Sequence, residues 1–217
     1  KRFIEVLVVD DGSTDSSRDI IKKQYLSTFP KFRLVENHHQ GKAFAIIRGI
    51  QEARGTHVIF TDIDLATPIE EVEKLISVAN SGYNIVMGSR ESKREGAPLS
   101  RKVLALGFIV IRNVVFGLKG IRDTQCGFKL FETKAAQNII NKLILFKKQH
   151  TIKGSSVSAA FDLEFVFLAS RFKYKIKEVP VEWRHVETKN VNFFKDAIET
   201  IKDLARIKYY DLRGLYV

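Results

Sequence analysis

Two acidic clusters stand where this chain has residues fit for chemistry: Asp10-Asp11 in VVDDGSTDSS and Asp62-Ile63-Asp64 in FTDIDLATP. Paired carboxylates repel one another unless a cation or hydrogen-bond donors offset their charge. An Asp-x-Asp spacing points two oxygens at one hard divalent ion. Mg2+ or Mn2+ suits such a pair, because it keeps open positions for the phosphates of a bound diphosphate. Either cluster can instead cap a helix, as Asp10 to Ser13 are placed to do. Two clusters at equivalent places in the fold favour the metal reading. His38 and His39 lack partners at ligand spacing and read as loop surface. Cys126 has no histidine nearby in sequence and reads as loop packing rather than a nucleophile.

The apolar pattern predicts the elements that hold these clusters. Phe3–Val9 is a nearly continuous β-branched run, the mark of a strand buried on both faces, and it stops at Asp10. A helix through Tyr25 follows, then a strand at Phe32–Glu36 and a helix over Gly41–Arg54 with Ala43, Ile46, Ile47 and Ile50 on one face. His57–Thr61 is a third strand and stops at Asp62; Pro68–Asn80 is an amphipathic helix and Asn84–Gly88 a fourth strand. Alternating strands and helices imply a parallel, doubly wound α/β sheet, whose ligands bind beyond the carboxyl ends of the strands. Both acidic clusters fall there.

The second half is less regular. A polar loop, Glu91–Ser100, precedes Lys102–Gly117, which is apolar nearly all round and is either a core helix or one pressed against something apolar. Asp123–Lys129 is a loop, Phe128–Glu132 a short strand and Thr133–Asn141 a helix. Phe161–Ser170 is a helix of mixed faces, Tyr174–Val181 a strand, and Asn192–Tyr210 a basic amphipathic helix with Phe194, Ile198, Ile201 and Leu204 on one side. No segment reaches the roughly 18 apolar residues of a membrane span. A single cysteine excludes an internal disulfide framework. The net charge of +11 suits an anionic partner: nucleic acid, a membrane or a phosphorylated substrate. No helix-turn-helix, zinc spacing or RNP-like strand supports nucleic acid, so no nucleic-acid partner is expected.

In order and spacing, VVDDGSTDSS, HHQGKAFAIIRGI, FTDIDLATP and GSR resemble the family 2 glycosyltransferases over most of the first 90 residues. The resemblance implies the GT-A fold, a Rossmann-like, mostly parallel sheet flanked by helices, in one catalytic domain over 1–217. Residues 1–90 form its nucleotide-sugar and metal half, and 91–217 its acceptor and membrane-facing half. It assigns Asp10, Asp11, Lys42 and Asp62 to the nucleotide sugar, and Asp62 with Asp64 to Mg2+ or Mn2+. That family normally has a further strand and a Pro-x-(Tyr/Phe)-Asn-Glu loop ahead of the DDGS strand, and its eukaryotic members an anchor further upstream. Both are expected to precede Lys1.

DTQCGFKLF, FDLEF and VPVEW are similar to the branch of the family that glycosylates dolichyl or other polyprenyl phosphates. The DTQCGFK wording lies nearest the members that transfer glucose. The resemblance implies UDP-glucose as donor, dolichyl phosphate as acceptor and an inverting displacement. The implied location is a membrane surface, the cytosolic face of the endoplasmic reticulum or the plasma membrane of a prokaryote. Arg90, Arg101 and Lys129 are assigned to the acceptor phosphate, since guanidinium and ammonium groups screen its charge. Asp162, Glu164 and Asp123 are the candidate catalytic carboxylates, by base or positioning chemistry. The apolar Lys102–Gly117 and basic Asn192–Tyr210 helices either lie in the membrane interface or are a core and an ordinary surface helix. Mannosyl transfer from GDP-mannose, a soluble or polysaccharide acceptor, and nucleotidyl transfer remain the rival readings.

Overall fold

The β-branched run at the start of the chain forms β1 (Val6–Asp10), which pairs in parallel with β2 (Phe32–Glu36). The structure, a computed structural model, describes residues 5–90, 99–118, 120–146, 159–184 and 193–216, without the side chains of 99–105, 159 and 193–197. A second sheet holds β3 (His57–Thr61), β4 (Ile85–Arg90), β5 (Phe128–Glu132) and β6 (Ile176–Val181), in the spatial order β3-β5-β4-β6. β5 lies between β3 and β4 and runs antiparallel to both, while β6 runs parallel to β4. The α/β class expected from the sequence is therefore present, with the sheet mixed rather than parallel at β5. The apolar alternation of a short strand does not encode its direction.

Helices cover both faces. α1 (Ser17–Ile20) continues into a π-helical stretch at Ile21–Leu26. α2 (Lys42–Glu52), α3 (Val72–Asn80) and α4 (Leu99–Phe116) are followed by α5 (Thr133–Ile140), α6 (Ala159–Arg171) and α7 (Phe193–Leu212). Strand alternation divides the core. Ile85 and Met87 of β4 and Phe131 of β5 pack with Ile139 and Phe165 from α5 and α6. Val86, Phe128 and Leu130 turn the other way, onto Leu75 and Ala79 of α3. A side-chain period of two on each strand thus supplies a helix layer on either side.

Two helices depart from the expected pattern. In α7 the stripe including Leu204 splits: Leu204 and Ile207 enter the core, whereas Ile198 and Ile201 are more than half exposed. α4 is neither wholly core nor wholly surface, since Arg112 and Phe116 are buried while Leu106 and Val114 face outward. Among the described residues no helix is long and apolar enough to cross a membrane.

Candidate active site

At the carboxyl end of β1 the two aspartates divide their work. Asp10 is buried, and its carboxylate accepts hydrogen bonds from the Gly12 and Ser13 amides and from Arg18 Nε at 2.5 Å. Burial raises its pKa, but the donors from Ser13 and Arg18 outweigh that and hold it below the usual carboxylate range. The Asp11 carboxylate reaches across to the next loop, accepting the Gln40 amide at 3.1 Å and the Gly41 amide at 2.6 Å. His39 Nδ1 lies 3.0 Å from the same carboxylate. Gly12 has φ +90, and a Cβ there would sit 2.8 Å from His39 Cβ, so only glycine lets the two loops close. Between them lies an open cleft of about 380 Å³, lined by Asp11, Gly12, Ser13, Thr14, Asp15 and His39. Asp10 is not among its lining residues. Its oxygens brace the turn, as those of Asp11 hold the facing loop.

At the end of β3 the Leu65 amide donates to the Asp62 carbonyl at 3.1 Å, and Asp64 accepts the Ala66 amide at 3.0 Å. Leu65 holds a positive φ of 48, a conformation sparsely populated by residues other than glycine and often stored at functional turns. The Asp62 side chain is 40% exposed and forms an ion pair with Lys42 Nζ at 2.5 Å, Lys42 being the first residue of α2. On its other side Asp62 lies against Gly127, where a Cβ would overlap the carboxylate. The Cys126-Gly127 loop and the Asp-x-Asp turn, distant in sequence, are thus in direct contact.

These carboxylates fit a divalent cation. Asp62 is open to solvent and already draws a cationic partner, and both residues offer hard oxygen donors. Among the described residues no group of three or more metal-ligating side chains occurs. Mg2+ commonly takes only one or two protein carboxylates, with phosphates and water completing its shell.

The loop ahead of β5 is tied down from three sides. Arg90, at the end of β4, donates from Nε and Nη2 to the two Asp123 oxygens at 2.7 and 2.9 Å. Burial would raise the Asp123 pKa, but this bidentate pair holds it below the usual range. Glu178 of β6 accepts the Arg122 and Asp123 amides. Buried Arg112 of α4 donates to the Ile121 carbonyl at 2.6 Å and to Thr124 Oγ1 at 3.1 Å. The Arg90 guanidinium also lies 5.8 Å from the Trp183 ring, just past β6.

Two residues assigned from the sequence lie inside the fold. Lys129 is only 2% exposed and donates to the Cys126 carbonyl at 2.6 Å and to Asp162 at 2.7 Å. It is an internal counterion to Asp162, not a phosphate ligand, because its inward position on β5 faces α6. Glu164 is fully buried and accepts the Ile144 amide and the Tyr216 hydroxyl, both at 2.7 Å, and the Leu145 amide at 3.2 Å. Its carboxylate serves the packing of the C-terminal segment rather than the reacting centre. Arg101 lies on α4, but its side chain is outside the described residues. Asp123 is held by Arg90, and Asp162 is held beneath the Cys126 loop by Lys129. Gly127, Arg112 and His39 were not legible as site residues. The one hint was a glycine directly before a strand, which often marks close backbone approach.

Glu164→Ala removes the acceptor for one buried and two part-buried donors and lowers stability by about 3 kcal/mol. Urea unfolding checks this. Turnover per folded molecule stays unchanged, whereas a catalytic carboxylate at this position would take turnover with it.

A family model described as glycosyl transferase family 2 matches residues 1–140. The dolichyl-phosphate beta-glucosyltransferase of Saccharomyces cerevisiae is 32% identical over 236 residues, covering 98% of this chain and 66% of that protein. The protein of the same name from Homo sapiens is 35% identical over 227 residues, covering 98% of this chain and 65% of its own length. The chain spans just under two thirds of these relatives. Among solved structures, glucosyl-3-phosphoglycerate synthase of M. tuberculosis superposes with a TM-score of 0.56 at 17% identity, covering 93% of this chain and 68% of that one. At that identity the likeness is one of fold.

Proposed function

The chain belongs to glycosyl transferase family 2, and on that premise we propose that it moves glucose from UDP-glucose to dolichyl or another polyprenyl phosphate, with inversion. The observation that carries the reading is the contact of Gly127 with Asp62, which joins the DTQCGFK loop to the Asp-x-Asp turn. The names of the relatives at 32 and 35% identity supply the sugar and the lipid.

The nucleotide enters the cleft between the β1 turn and the His39 loop, where Asp11 and His39 offer polar contacts. Lys42 and Asp62 meet the diphosphate end. A divalent ion bound by Asp62 and Asp64 would stabilise charge on the departing diphosphate. A phosphate monoester has a second pKa of about 6 and is already anionic near neutral pH. Its oxygen attacks the anomeric carbon, the bond from that carbon to the diphosphate breaks, and UDP leaves with the electron pair. No general base is needed, which agrees with Asp162 being neutralised by Lys129 and Glu164 facing the core. The chain's task is to place the phosphate and screen its repulsion from the donor. Arg90 spends its Nε hydrogen and one Nη2 hydrogen on Asp123, which leaves the two Nη1 hydrogens and the second Nη2 hydrogen to engage a phosphate. A lipid acceptor and a nucleotide-sugar donor together support a location on the cytosolic leaflet of an internal membrane, or on the plasma membrane in a prokaryote.

The test offers radiolabelled UDP-glucose and GDP-mannose separately, with dolichyl phosphate in detergent, and with Mg2+, Mn2+ or chelator. Chelator-sensitive glucosyl lipid is the expected product. Mannosyl lipid would overturn the sugar, and UDP binding without any lipid product would overturn the acceptor.

A further inference from the structure

Trp183 is the only tryptophan of this chain, and it is 40% exposed. A large aromatic ring left in solvent forgoes much of the stabilisation that burying it in the core would bring. Its backbone is nevertheless fixed on both sides. Buried Val181 ends β6 in register with Arg90 of β4. The Glu182 amide donates to Glu71 Oε2 at 3.1 Å, and the Arg184 amide donates to the Ala66 carbonyl at 2.7 Å. The Ala66 amide in turn donates to Asp64. Trp183 thus sits on a segment tied at one end to β4 and at the other to the Asp-x-Asp turn.

The ring meets the site through Arg90. The guanidinium carbon lies 5.8 Å from the ring centroid, while Nε and Nη2 bond the Asp123 carboxylate. A cation within about 6 Å of an indole face is attracted to it, so Arg90 is held between a carboxylate and an aromatic ring. An anion that engages Arg90 therefore has hydrocarbon beside it. A prenyl phosphate matches this pairing, because it is hydrocarbon from the first atom beyond the ester oxygen. Inorganic phosphate and sugar phosphates present hydroxyls or water there and gain little from an aromatic neighbour. The turn bonded to Arg184 also exposes two aliphatic side chains, Ile63 and Leu65.

We propose that Trp183 receives the first isoprene unit of the acceptor, its ring packing on the hydrocarbon while Arg90 holds the phosphate. The inference rests on the lipid-phosphate reading and names the side chain that selects a prenyl phosphate from other phosphate monoesters. Selection by this route costs little ordering. An indole has only two side-chain torsions to fix, and the backbone that carries it is already held.

The test uses citronellyl phosphate, a prenyl phosphate short enough to dissolve in water, and reads the intrinsic fluorescence of the full chain. With one tryptophan present, the emission reports position 183 alone. Titration with citronellyl phosphate in the presence of UDP shifts the emission to shorter wavelength and saturates, whereas inorganic phosphate leaves it in place. In steady-state assay Trp183→Ala raises KM for citronellyl phosphate by about tenfold, with kcat and KM for UDP-glucose unchanged, the pattern of lost uniform binding. Trp183→Phe restores most of the affinity. Unchanged thermal melting verifies the fold of both variants. The same shift with inorganic phosphate, no shift with citronellyl phosphate, or a rise in KM for UDP-glucose instead overturns the subsite. Glucosyl transfer with neither the shift nor the change in acceptor KM sinks the subsite and leaves the reaction standing. The shift without transfer to any prenyl phosphate upholds the subsite and sinks the reaction.

Discussion

Asp62→Asn lowers glucosyl transfer by about a thousandfold, the loss typical when one charged contact to a developing transition-state charge is removed. Asparagine keeps the size of the side chain but not the charge that pairs with Lys42. Stability changes by less than about 1 kcal/mol, because both side chains of that pair are more than a third exposed. The turn itself is held by backbone bonds, Leu65 amide to Asp62 carbonyl, which the substitution leaves in place. Steady-state assay with UDP-glucose and dolichyl phosphate measures the first effect, and thermal unfolding the second. Wild-type turnover in this variant would remove Asp62 from the reaction. A matching loss of stability would make it a structural residue instead.

Gly127→Ala has the second largest expected effect. An added Cβ overlaps the Asp62 carboxylate, which is the far end of a side chain and gives way more readily than backbone. The fold therefore survives with a loss of about 1 kcal/mol or less, while the carboxylate shifts by a sizeable fraction of an ångström. Displacement of a reacting group by about 1 Å costs on the order of a hundredfold in rate. Turnover should fall by that amount, and Mn2+ affinity measured by electron paramagnetic resonance should weaken with it. Unchanged turnover with unchanged Mn2+ binding would show that the orientation of Asp62 does not depend on this loop. The paired readouts separate a misplaced carboxylate from a damaged fold, which would lower the melting temperature and leave Mn2+ affinity per folded molecule intact.

Local pattern was enough to locate every strand and most helices, since buried strands are continuous apolar runs and amphipathic helices repeat every three to four residues. It also placed both acidic clusters at strand ends, because the runs of β1 and β3 stop at Asp10 and after Thr61. Direction and partnership were beyond it. Antiparallel β5 between β3 and β4 pairs strands distant in sequence, and nothing in FKLFE states its orientation. Lys129 looked like a phosphate ligand beside a polar loop; its place on the inward side of β5 turned it onto Asp162, 33 residues away. Glu164, two positions beyond Asp162 on α6, projects to a different face of that helix and was drawn to Tyr216. Residue type and spacing determine which chemistry a chain can offer. Which carboxylate is spent inside and which meets solvent depends on long-range packing, through the cost of leaving a buried charge or donor unpaired. That choice belonged to the tertiary structure.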